Sequence, residues 1–144
     1  MAYQAKRKKL YTEDFELTEE DGTVVHTLHV ALDPDNMAKK LSEKHTALVK
    51  ALQEVQGINA QKDPGAALET VGNAVTDILE AVFGADSAKV IVNFYDGRYM
   101  EMCTEVMPFV TITVIPAVRR MAQENKKVIA AGYSRKQRRL FGKK

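Results

Sequence analysis

Two runs near the start of the chain alternate between apolar and polar positions. Tyr11, Glu13, Phe15 and Leu17 fall on one side of the first, and Val24, His26, Leu28 and Val30 on one side of the second. Alternation with a period of two predicts half-buried strands. Between them, Thr18 to Gly22 is acidic and closes on Asp21-Gly22, a chain-reversal signal. The two runs therefore predict an antiparallel hairpin over residues 10–31. A lone hairpin is marginal in water, so one of its faces has to lie on helices or on another subunit.

The pattern then changes to helical spacing. Asp33-Pro34 is a helix start, since Asp caps free amides and Pro fits the first turn. Met37, Leu41, Leu48, Leu52 and Val55 carry that helix to about Gln56, and Gly57 stops it. Asp63-Pro64 repeats the start signal. Leu68, Val71, Val75, Ile78, Leu79 and Val82 form the cleanest stripe in the chain, ended by Gly84. A short helix from about Asp86 to Tyr95 presents Ile91, Phe94 and Tyr95, and Asp96-Gly97 breaks it.

The last long segment runs from Arg98 to about Lys127. Tyr99, Met102, Cys103, Val106 and Met107 fit a helix, but Pro108 and Pro116 interrupt it, and each interior proline costs about 3 kcal/mol. Val110 to Ile115 is rich in β-branched residues, so a strand there competes with a kinked or broken helix. Helical spacing on both sides, at Met102–Met107 and Val118–Met121, favours the helix. The predicted fold class is α+β, mainly α: an N-terminal hairpin followed by about four helices, with one globular domain over 10–125 (helical over 34–125). Basic, flexible termini are expected at 1–9 and 126–144.

Charge sharpens this division. The chain has 144 residues and a formal net charge of +2, but all nineteen acids lie between Glu13 and Glu124. Nine cations in that stretch against nineteen acids leave −10, and the two ends carry the other twelve cations. An acidic body with two basic arms points to contacts made through the ends, with nucleic acid, an acidic protein surface or a second copy. No run of apolar residues approaches the roughly 18 a membrane helix needs. The N-terminus lacks the apolar segment of a secretory signal, and a single cysteine, Cys103, suits a reducing cytoplasm.

Candidate catalytic chemistry is sparse. His26 and His29 are three apart on a strand and so face opposite ways, which does not suit one metal. His45 stands by itself on a helix. Cys103 lies in an apolar stripe with no basic neighbour to activate it, as expected of a buried core thiol. Glu101 and Glu105 stand one helical turn apart, as on a solvated acidic face. No phosphate-binding glycine motif occurs. Neither a cofactor nor a metal is expected. The basic tail, with Arg135, Lys136, Arg138 and Arg139 beside Tyr133 and Phe141, is the better binding candidate; cations with aromatics also suit single-stranded nucleic acid. Met100, Met102, Met107 and Met121 serve either as core filler or as an adaptable apolar surface.

In this order, the segment AVFGADSAKVIVNFYDGRYMEMCTEVMPFV (81–110) resembles the C-terminal helical half of the small tail assembly chaperones of long-tailed bacteriophages. The basic ending SRKQRRLFGKK is similar to the endings of phage proteins of this size. The resemblance covers roughly residues 10 to 125. It implies a non-enzymatic protein of the host cytoplasm, several copies of which bind the tape measure protein and keep it soluble until tail-tube protein assembles around it. The tape measure protein is then the expected partner, with the tail-tube protein and further copies of the chain beside it, and no membrane. The faces of Leu68–Val82 and of Tyr99, Met102 and Val106 are the candidate contact surfaces, although both serve equally well as core. A nucleic-acid-binding protein working through its arms is the rival.

Overall fold

The computed structural model describes residues 2–57 and 64–141, with side chains as far as Gly132. Among these, strands β1 (Tyr11–Thr18) and β2 (Val24–Leu32) pair antiparallel, from Tyr11 opposite Leu32 to Leu17 opposite His26. The register slips by one residue before Thr18 meets Val24. The reversal spans Glu19 to Thr23: Gly22 N–H donates to the Glu19 carbonyl at 3.0 Å, and Gly22 takes φ 88°. That positive φ is why glycine follows Asp21. Tyr11, Leu17, Leu28, Val30 and Leu32 are buried on the inner side, while Asp14 and His29 face outward and pair with each other.

Helix α1 (Pro34–Val55) begins at Asp33, whose carboxylate accepts from Asp35 N–H at 3.1 Å and from the Asn36 side-chain amide at 2.8 Å. The predicted start and stop both hold. Helix α2 (Pro64–Phe83) is the centre of the core, with Val71, Val75, Ile78 and Leu79 fully buried. Its predicted capping residue, Asp63, lies outside the described residues. Leu68, expected in the buried stripe, is instead 47% exposed at the helix's outer end. Gly84, at φ 87°, ends α2 and lets α3 (Ala85–Phe94) start at once. Asp96 and Gly97, at φ 52° and 74°, turn the chain into α4 (Tyr99–Glu105). Two left-handed residues in succession terminate a helix, and Asp-Gly is suited to them.

The segment containing both prolines is a broken helix, with a turn at Val106, as expected, so the strand alternative at Val110–Ile115 is set aside. A π-helix covers Phe109–Val114, with Ile115 N–H donating to the Val110 carbonyl, and α5 (Ile115–Phe141) follows. The physical reason is a row of apolar residues at every fourth position. Met102, Val106, Val110, Val114, Val118 and Ala122 are all buried, whereas Ile112, which a strand would place beside Val110 and Val114, is 74% exposed. In a plain α-helix, residues four apart drift around the axis by about 40° per step. A π-turn holds more residues per turn and winds the row back. Pro116, which cannot donate to the Ile112 carbonyl, removes one of the bonds a plain α-helix would need there. The bend is real: α4 and the helical stretch after Phe109 meet at 41°.

The hairpin is fastened by aromatic contacts. The Phe15 ring lies 5.5 Å from Phe83 on α2 and 4.7 Å from Phe109 on the π-turn, centre to centre. On the other side, α5 runs along α1: Arg119 donates to the Ser42 hydroxyl at 2.6 Å and the Asn125 amide to Asp35 at 3.3 Å. The helix does not stop near Lys127 as expected; its backbone continues to Phe141.

Gly72 on α2 lies closely under the Tyr99 ring. A methyl group at Gly72 would lie 2.8 Å from Tyr99 Cε2. Overpacking of this kind costs about 1–3 kcal/mol, against about 1 kcal/mol that alanine returns in helix propensity. Gly72→Ala should therefore lower the melting temperature in the natural sequence. Combined with Tyr99→Leu, the same Gly72→Ala change should raise it relative to Tyr99→Leu by itself. Thermal unfolding of the four proteins checks both signs, and stabilisation by Gly72→Ala in the natural sequence would contradict this packing.

Candidate functional site

The contact face expected on α4 is not on the surface. Met102 and Val106 are completely buried against the core, and Tyr99 is half-buried on Gly72. The same holds for α2 from Val71 to Val82. This corrects the expectation that these faces are contact surfaces. Both stripes are apolar because they close on each other and on the hairpin. Helical spacing marks a buried face without saying whether the covering partner is in the same chain.

Two other exposed features stand at the two ends of the molecule. The first feature is α5 beyond Ala122. Asn125 is half-buried, and every residue from Lys126 to Gly132 is exposed. Val128 is 70% exposed and Ile129 50%, between Lys126 and Lys127 on one side and the basic run on the other. The expected binding residues Arg135, Lys136, Arg138 and Arg139 all fall on this helix, not on a tail that follows it. By helical period, positions 129, 133, 136 and 140 form one row, occupied by Ile, Tyr, Lys and Leu. Sequence reading missed Val128 and Ile129. The spacing from Ile129 through Tyr133 to Leu140 was the available signal, obscured by the density of cations.

The second feature is a cleft of about 520 Å³ at the hairpin tip. The end of β1 and the turn bring Glu16, Glu19 and Glu20 to it; the bend after α3 brings Asp96, and α4 brings Glu101 and Glu105. Phe15, Phe94 and Tyr95 also line it, with Phe94 and Tyr95 edge to face at 5.0 Å. One cation, Arg98, enters it and stands 3.5 Å from Glu101. Partial burial, with the carboxylates of Glu105 and Glu101 nearby, raises the Tyr95 hydroxyl pKa, so that group stays neutral. Glu101 and Glu105 thus belong to an acidic surface together, as their spacing implied.

The other candidates have bland settings. His26 and His29 are exposed and do not converge, and no group of three His, Cys, Asp or Glu among the described residues is placed to hold a metal ion. No single helix among the described residues is long and apolar enough to cross a membrane. The bent pair of α4 with Phe109–Gly132 reaches that length and composition together, but its apolar row is the one packed into the core. The chain matches no family model, no curated protein and no solved structure.

Cys103, expected in the core, is half-buried at its edge. Burial raises its pKa above the ordinary 9.0, which keeps the thiol protonated at neutral pH. The folded state therefore holds this proton more tightly than the unfolded one. The associated stability is present below the unfolded pKa and is lost as pH rises through the folded value. Alkylation of the native chain at neutral pH should be several-fold slower than after unfolding in urea, and should accelerate in alkaline buffer. Equal native and unfolded rates in a mass-spectrometric time course would contradict this environment.

Proposed function

We propose that the chain is a tail assembly chaperone of a long-tailed bacteriophage. It acts without catalysis in the host cytoplasm, binding the tape measure protein and keeping it soluble until tail-tube protein replaces it. The observation that carries this reading is the outer half of α5, a helix that leaves the body with Val128 and Ile129 exposed. An apolar-and-basic helix whose described residues from Lys126 to Gly132 are all exposed is suited to lie against an amphipathic helix of another protein. The element order, hairpin then helices with the 81–110 segment at its place, supports the same reading.

Magnitudes favour many weak sites over one strong one. Full burial of Val128 and Ile129 is worth about 1.5–3 kcal/mol each, a gross figure close to that of a millimolar complex. Ordering and association costs reduce it further. One copy therefore holds a client briefly and releases it readily, which suits a protein that must be displaced. Several copies at sites along one long helical client keep it coated once the chain's concentration reaches its Kd for each site.

Co-expression with a tape measure protein should increase the soluble share of that protein. Val128→Asp with Ile129→Asp should cut this gain several-fold while leaving circular dichroism and the melting temperature nearly unchanged, because both residues lie outside the core. Full solubilisation by the double variant would remove the proposal. Cations on α5 also suit nucleic acid, and tight binding to single-stranded DNA that weakens steeply with salt, without any effect on the client, would favour that rival.

A further inference from the structure

The two exposed features lie at opposite ends of the molecule and carry opposite charge. Six carboxylates against the single guanidinium of Arg98 leave the cleft at −5. No acid follows Glu124, so the outer half of α5 is purely cationic, with Lys126, Lys127, Arg135, Lys136, Arg138 and Arg139. A helix with exposed apolar and basic positions fits a cleft lined by carboxylates and aromatic rings.

The cleft cannot be filled by the chain's own helix. Phe109 lies beside Phe15, in the tip-side half of the hairpin. From there the chain runs back, and Asn125 meets Asp35 just beyond the open end, where Tyr11 pairs with Leu32. Each residue after Asn125 carries α5 about 1.5 Å further along its axis. The tip and the open end are separated by most of a strand, at about 3.3 Å per residue. A continuous helix to Phe141 does not turn back over that distance.

We infer that the outer half of α5 docks onto the acidic hairpin-tip cleft of a second copy of this chain. The contact joins two different surfaces, so a docked pair keeps one free cleft on one copy and one free helix on the other, and head-to-tail chains follow. This deepens the proposed function and rests on it in one respect: self-association covers Val128 and Ile129 until a client competes for the same helix. The attraction is electrostatic at long range, with a screening length of about 8 Å at physiological salt, so the assembly shortens as salt is added.

The test uses the full chain without client. Glu19→Lys with Glu20→Lys takes the cleft from −5 to −1. The turn there is held by backbone groups and by Asp21, which stay in place. A second variant carries Arg135→Glu, Lys136→Glu, Arg138→Glu and Arg139→Glu. In light scattering at low salt, the natural chain should be larger than a monomer and shrink as salt rises. Each variant by itself should be monomeric, and an equal mixture should form heterodimers, because the unchanged helix of the cleft variant meets the unchanged cleft of the helix variant. A natural chain that is monomeric at low salt, variants that assemble like it, or a mixture that stays monomeric would each overturn the inference. Any of these leaves the client reading standing, since that is judged separately by the Val128 and Ile129 variants.

Discussion

Six apolar residues at every fourth position, from Met102 to Ala122, have to stay against one wall of the core, while a plain α-helix would carry them round its axis. The π-turn at Phe109–Val114 reconciles the row with the helix. Much of the rest follows from that solution. It places Phe109 against Phe15 and so fixes the hairpin, which a two-stranded ribbon cannot do for itself. It aims α5 along α1 and out past Asp35. It also uses up the apolar face of α4, where Met102 and Val106 are buried.

The same geometry turns an uneven charge sequence into a polar molecule. The carboxylates of β1, the turn, the Asp96 bend and α4 gather at the hairpin tip, and α5 leaves at the other end with the cations after Glu124 that it carries. A net charge of +2 gives no hint of this separation. Surface ion pairs within the chain, such as Lys44 with Asp77 at 4.0 Å, are exposed and contribute little to its stability. In the proposed self-association the charge guides encounter, and the apolar positions on α5 supply short-range affinity.

Where backbone chemistry dictates local structure, the sequence was readable. Asp33-Pro34 had to start a helix, Asp96-Gly97 had to break one, and an alternating pair of runs around Asp21-Gly22 had to form a hairpin. Faces were harder. Leu68 and Val71 belong to one stripe by spacing, yet Leu68 is half-exposed because the stripe outruns the elements that cover it. Met102 and Val106 look like contact residues until α2 and the hairpin are seen to cover them. The β-branched run at Val110–Ile115 suggested a strand by propensity, and its four-residue period, once counted, is helical. On α5, dense cations disguised a helix as a tail. In each case the missing knowledge was which surface a given face meets, a property of the whole fold.

Hydrogen exchange on the chain with and without its client tests the account most directly. Bound client should slow exchange along the outer half of α5, from Lys126 to Phe141, and leave the amides of Val71–Val82 and Tyr99–Val106 at their already slow rates. Protection that appears elsewhere with α5 unchanged, or faster exchange in α2 and α4 as the core opens to admit the client, would contradict it.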